Sequence, residues 1–252
     1  MFFSSVPLQK SISIIYGGPG TGKSEITKAI VEIYGRLNPA NSIYLAAPTG
    51  KAAKRLSEAT GMEASTIHRL LGYNPNSNSF SFDVGNPLPG PGLILVDEFS
   101  MVDMELAANL LAAAKASIAD SRYTHQIIII GDPQQLPSVG PGSVLRDLIA
   151  CSKIHSTELQ FNYRQAQGSI IAERANQICR GEMPPLWSKG DWEQVSVDSA
   201  AEAVEAVKQL VETYVLAKGL GLLDWLCIAP MYKGDAGINT LNKEIREIVN
   251  PK

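Results

Sequence analysis

The sequence predicts an α/β fold: a parallel sheet covered on both faces by helices, presenting a phosphate-binding loop, with part of a second domain behind it. Three observations carry this. Short apolar runs alternate with longer helix-compatible ones. The apolar runs are continuous, as in strands buried on both faces. The first of them ends in Gly17-Gly18-Pro19-Gly20-Thr21-Gly22-Lys23-Ser24, which fits G-x-x-x-x-G-K-[ST] in a strand–loop–helix context.

Taken in order, Ile12–Tyr16 is the first strand and Glu25–Tyr34 the first helix. Ile43–Ala47 is a second strand, followed by a helix over Lys51–Thr60. Leu93–Val96 is a third, followed by an Ala- and Leu-rich helix over Glu105–Ala119. Ile127–Ile130 is a fourth, and Ser156–Phe161 a weaker fifth. Such alternation implies right-handed βαβ units, a RecA-like P-loop architecture. Gly72–Gly92 breaks the rhythm and reads equally well as a short hairpin around Phe80 and Phe82 or as an irregular loop. Beyond a boundary expected near residues 155–160 come helices over Ala200–Leu216 and Gly237–Val249, with a strand over Trp225–Ala229 between them. The expected domains are 1–157, which carries the P-loop, and 158–252.

The composition is that of an ordinary globular chain: 252 residues, 45% hydrophobic and 19% charged. No apolar run is long enough to span a bilayer, and Met1-Phe2-Phe3 lacks the basic start of a secretory signal. Cys151, Cys179 and Cys227 are too scattered for a disulfide framework or a metal cluster, which fits a reducing cytoplasm. They read as small core residues, and His125 and His155 as surface or strand-edge residues. A net charge of −3 neither advertises nor excludes nucleic-acid binding, because a local basic stripe works on a neutral chain.

The loop's chemistry follows from its spacing. Glycines let backbone N–H groups wrap an anion, and the following helix N-terminus adds orphan donors and a positive dipole end. Gly18, Pro19, Gly20, Thr21 and Gly22 form that cradle. Lys23 reaches the β- and γ-phosphates of ATP, and the Ser24 hydroxyl can ligate Mg²⁺. Downstream, Leu93–Val96 ends in Asp97-Glu98. A P-loop ATPase needs one acid to hold Mg²⁺ and another to orient the attacking water, roles that suit Asp97 and Glu98 respectively. Gln135, after the fourth strand, fits either a γ-phosphate contact or a turn facing water; spacing alone does not choose. Lys51, Lys54 and Arg55 share one side of a helix, which suits both a nucleic-acid backbone and a solvated face.

Gly17–Ser24, Ala47–Arg55, Thr66–Leu70, Val96–Val102, Gly131–Gly140 and Leu159–Arg164 occur in the order and rough spacing of superfamily-one helicases. The chain resembles the RecD family, especially its stand-alone members, and more distantly the Dda-type helicases. Ile228–Gly234 and Asn239–Pro251 resemble that family's second motor domain. The resemblance implies an ATP- and Mg²⁺-dependent motor moving 5′ to 3′ on single-stranded DNA and acting at single-strand/duplex junctions, in DNA repair or recombination. It implies that Gln135 couples γ-phosphate state to domain movement, that Arg164 is an arginine finger, and that Tyr163 stacks on adenine. Pro48, Thr49, Lys51, Thr66 and His68 would lie along the DNA strand, and Gly72–Gly92 would occupy the place of a strand-splitting pin.

The resemblance also has gaps. No clear adenine-reading glutamine precedes the P-loop, Gln9 being a poor fit, and no match appears for the family's later motifs. The sequence therefore reads as a motor fragment that does not unwind alone. Two other readings are a nucleic-acid-dependent ATPase without unwinding and a nucleotide-binding regulatory subunit.

Overall fold

A computed structural model describes residues 11–114, 125–161, 169–185, 190–221 and 224–250. The chain divides into two compact units, residues 1–167 and 168–252.

The first unit is built on a six-stranded parallel sheet: β1 (Ile12–Tyr16), β2 (Ser42–Ala47), β3 (Ala64–Thr66), β4 (Gly92–Val96), β5 (His125–Gly131) and β6 (His155–Glu158), in the order β3-β2-β4-β5-β1-β6. Its helices are α1 (Lys23–Leu37), α2 (Gly50–Thr60), α3 (Ile67–Leu70), α4 (Met104–Ala114) and α5 (Val144–Ala150). The expected continuation of α4 over residues 115–119 lies outside the described residues. Successive strand side chains point to opposite faces, and the central strands show it. Ile14, Ile94, Ile127 and Ile129 join one core with Leu106 and Leu110 of α4 and Leu145 of α5. Ile15, Leu93, Leu95, Ile128 and Ile130 join the other with Ile30, Val31 and Tyr34 of α1 and Leu56 of α2. These are the continuous apolar runs of the sequence, apolar throughout because both faces are covered.

The register sets what stands at the C-terminal edge of the sheet. Tyr16 pairs with Gly131, Ala46 with Val96, and Ala47 with Thr66. The segments that follow β1, β2, β3, β4 and β5 therefore emerge side by side, where ligands bind in open α/β sheets. β6 pairs with β1 from Ser13↔His155 to Tyr16↔Glu158 and so belongs to the first sheet. Up to the start of β4 at Gly92, residues 72–91 hold one isolated antiparallel bridge, Asn74↔Ser79, within an otherwise irregular loop.

Two expectations need correction here. His125 is not a surface residue: it is buried at the start of β5, its ring 6.0 Å from that of Tyr44. Cys179 is exposed rather than a core residue.

The second unit contains α6 (Ile170–Cys179), α7 (Ala200–Leu210) continuing into a π-helical turn over Val211–Leu216, and α8 (Ile238–Val249). Asp191 caps α6, accepting from the Ser169 hydroxyl at 2.7 Å and the Ile170 N–H at 2.8 Å. Val211, Val215, Leu241 and Ile245 form its core. Residues 225–229, expected as a strand, have no ladder partner among the described residues. They keep a strand's alternation: Trp225, Cys227 and Ala229 pack on that core, while Leu226 and Ile228 are more than 80% exposed.

Candidate nucleotide site

The P-loop folds as its sequence requires. Gly22 stands at φ 86°, a left-handed conformation that suits glycine, and heads α1 without any side-chain cap. The first backbone N–H groups of α1 are thus left for an anion. The Thr21 hydroxyl donates to the Gly18 carbonyl at 2.9 Å, fixing the bend. Lys23 Nζ donates to the carbonyls of Gly17 (2.7 Å) and Gly18 (2.9 Å), which holds the ammonium over the loop.

A cavity of about 1080 Å³ opens on this loop. Pro19 through Ser24 line it, and so do Asp97, Glu98 and Gln135 from the loops after β4 and β5. Three separate sequence signals therefore meet in one space. The Asp97 N–H donates to the Ala46 carbonyl at 3.0 Å, and Asp97 Oδ1 accepts from the Glu98 N–H at 2.9 Å. Burial is the main cause that pushes the Asp97 carboxyl above its usual range, with the Glu98 charge adding to it; the Glu98 N–H and the Lys23 charge oppose the rise. Glu98 adopts φ 54°, ψ 39°, rare for a residue with a Cβ, and its Oε2 is buried with no hydrogen-bond partner. Strain and an unsatisfied acceptor thus meet at one residue, a combination that clusters at active sites.

These residues fit a nucleoside triphosphate with Mg²⁺. Lys23 and the uncapped helix end match the phosphates. The Ser24 hydroxyl and the Asp97 carboxylate are hard oxygen donors, and Mg²⁺ is commonly held by one or two protein oxygens together with substrate phosphates. Among the described residues no group of three His, Cys, Asp or Glu side chains is placed to hold a metal alone.

The expected DNA contacts lie elsewhere on the same edge. Thr49 caps α2, its hydroxyl accepting from the Ala52 N–H at 3.2 Å, and Thr66 caps α3 by accepting from the Arg69 N–H at 3.2 Å. Because Ala47 pairs with Thr66, Pro48, Thr49 and Lys51 stand beside Thr66 and His68. Lys51 and His68 are exposed. The His68 ring packs edge-on against Tyr73 (5.3 Å) and tilted against Phe80 (6.0 Å). Sequence reasoning misses Tyr73, although an aromatic residue within a polar loop is a usable signal. It also misses the place of Arg55, which spacing groups with Lys51 and Lys54 but which lines the nucleotide cavity. Gln9, Tyr163 and Arg164 lie outside the described residues.

Comparison with known proteins adds to this geometry. Residues 4–141 match the AAA domain family. The ATP-dependent RecD2 DNA helicase of Deinococcus radiodurans is 36% identical over 241 residues, covering 94% of this chain and 30% of that protein. The RecBCD enzyme subunit RecD of Mycolicibacterium smegmatis is 37% identical over 168 residues, covering 58% of this chain and 29% of that protein. The chain thus spans about a third of the length of these relatives. Among solved structures, Bacteroides Pif1 bound to single-stranded DNA aligns with 87% of this chain and 55% of its own, at 19% identity and a TM-score of 0.46.

Proposed function

The chain belongs to the AAA domain family and is a relative of the RecD helicases, and from that premise we propose that it is the motor of an ATP-dependent DNA helicase, coupling ATP hydrolysis to 5′-to-3′ movement along single-stranded DNA. The observation that carries this reading is the convergence of the P-loop, the Asp97–Glu98 pair and Gln135 on one cavity, with residues 48–51 and 66–68 beside it on the same sheet edge.

In this reading Lys23 and the P-loop amides bind the β- and γ-phosphates. Ser24 and Asp97 hold Mg²⁺, which neutralises charge developing on the phosphates when bound. Glu98 accepts the proton of the attacking water; its buried, unpaired Oε2 is the acceptor the step requires. Gln135 contacts the terminal phosphate, and its loop carries the loss of that phosphate away from the site. Thr49, Lys51, Thr66 and His68 hold the strand through phosphate contacts, which position it without reading its sequence. The resemblance assigns adenine stacking to Tyr163 and the arginine-finger role to Arg164. The first unit is one RecA-like motor domain and the second unit belongs to another.

The experiment is a titration of ATP turnover by residues 1–252 against single-stranded DNA, beside Lys23→Ala. Turnover that rises with DNA and is abolished in Lys23→Ala is expected. Turnover indifferent to DNA, or surviving the substitution, would overturn the reading.

A further inference from the structure

We propose that Arg55 is a second anion-binding residue of the nucleotide site, placed at its terminal-phosphate end; this rests on the nucleotide reading above.

Charge comes first. Five carboxylates line the cavity, those of Glu25, Glu58, Asp97, Glu98 and Glu158. Among the described lining residues only Lys23 and Arg55 are cationic. A triphosphate entering so acidic a space needs both positive charges, because like-charge juxtaposition opposes its binding.

Availability comes second. Among the described residues Arg55 has no ion-pair or hydrogen-bond partner for its guanidinium, whereas its neighbour Lys54 pairs with Glu58 at 3.9 Å. One turn away on either side, Ala52 and Ala59 also line the cavity. Side chains at i−3 and i+4 share a helix face, so Arg55, itself exposed, stands between two methyl groups on that face. Below that face Ala53 and Leu56 are buried, which fixes the helix.

Position comes third. α2 follows β2, which pairs with β4, the strand that delivers Asp97 and Glu98. Residues 158–161, leaving β6, line the cavity from the opposite flank of β1. Arg55 is therefore on the acid-pair side, where the terminal phosphate and attacking water belong. A guanidinium presents donors in a planar fork that matches phosphate oxygens. Since Thr49 and Lys51 stand at the start of the same helix, Arg55 makes α2 one rigid element touching both nucleotide and DNA.

The test is affinity of residues 1–252 for Mg²⁺·ATPγS and for Mg²⁺·ADP, with Lys23→Ala, Arg55→Ala and Arg55→Lys. Arg55→Ala should weaken ATPγS about 10- to 100-fold and shift ADP by no more than about two-fold, as for loss of charged hydrogen bonds to one phosphate. Arg55→Lys should fall between, keeping the charge but not the fork. Lys23→Ala should weaken both nucleotides. If Lys23→Ala weakens both and Arg55→Ala neither, the proposed function stands and this inference falls. Equal losses of ATPγS and ADP in Arg55→Ala would also overturn it, as would weakened binding to oligo-dT without nucleotide. A wild-type chain that binds neither nucleotide would remove both readings.

Discussion

Gly17 lies against Leu159. A Cβ built on Gly17 would stand 2.8 Å from the Leu159 carbonyl oxygen and 2.9 Å from the Leu159 Cβ, closer than real Cβ atoms come. It would also stand 2.8 Å from the Thr21 hydroxyl that closes the P-loop. The first glycine of the motif is thus required for packing, since it lets the chain leaving β6 pass over the loop. A Cβ on Gly18 meets nothing within 4 Å. Gly17→Ala should destabilise the first unit by about 1–3 kcal/mol, the usual cost of overpacking, while Gly18→Ala melts like the wild type. Thermal unfolding of the two variants checks this.

The Asp97 carboxyl is raised mainly by burial, so its ionisation opposes folding when no cation is present. A raised folded-state pKa means a stabilising contribution that is full below the ordinary value of 3.8 and lost as pH rises through the folded value. In metal-free buffer Asp97→Asn should therefore melt higher than the wild type at neutral pH, and the gap should close in acid. With Mg²⁺ and nucleotide the order should reverse, because the wild type alone gains the metal contact. Melting curves over a pH series, with and without Mg²⁺·ATPγS, measure both effects.

Glu98 combines a left-handed backbone with a buried, unpaired carboxylate oxygen. A left-handed backbone costs a residue with a Cβ about 1–2 kcal/mol, and an unpaired buried acceptor adds to it. Glu98→Gly should be at least as stable as the wild type in chemical denaturation, while turnover falls by about 100-fold or more, the range for a lost general base. Glu98→Gln should lose turnover equally and still bind ATPγS. A Glu98→Gln chain that hydrolyses normally would place the catalytic carboxylate elsewhere.

The parts of this molecule legible in the sequence are those set by periodicity and local chemistry. Residues 127–130 and 93–96 read as doubly buried strands because every residue in them is apolar, and the P-loop reads from eight consecutive residues. Strand β3, by contrast, is Ala64-Ser65-Thr66, too short and too polar to show a period; only its pairing with Leu45, Ala46 and Ala47 of β2 makes it a strand. His125 is buried by partners distant in sequence, Tyr44 among them. Arg55 shares its spacing with Lys51 and Lys54, and only the packing of α2 beside α1 sets it on the cavity wall. Residues 225–229 are apolar throughout in the sequence, and only their packing shows the alternation of core and solvent positions, without a ladder partner among the described residues.

Lys51 offers the cleanest separation of DNA binding from nucleotide chemistry. It is exposed on the first turn of α2, beside Thr49 and next to the β3 end that carries Thr66 and His68, and it does not line the nucleotide cavity. A lysine bound to a phosphate releases condensed counterions, so its loss has a defined signature. Lys51→Ala should weaken single-stranded DNA binding to a similar extent for any base sequence and reduce the salt slope by about one unit. ATPγS affinity without DNA should be unchanged. Thr49→Ala should weaken strand binding as well and in addition lose about 0.5–2 kcal/mol of stability, because it removes the α2 cap that accepts from Ala52. DNA titrations at several salt concentrations read the slope directly. An unaltered slope in Lys51→Ala would mean that the α2 N-terminus is a solvated face and that the strand runs elsewhere along the sheet edge.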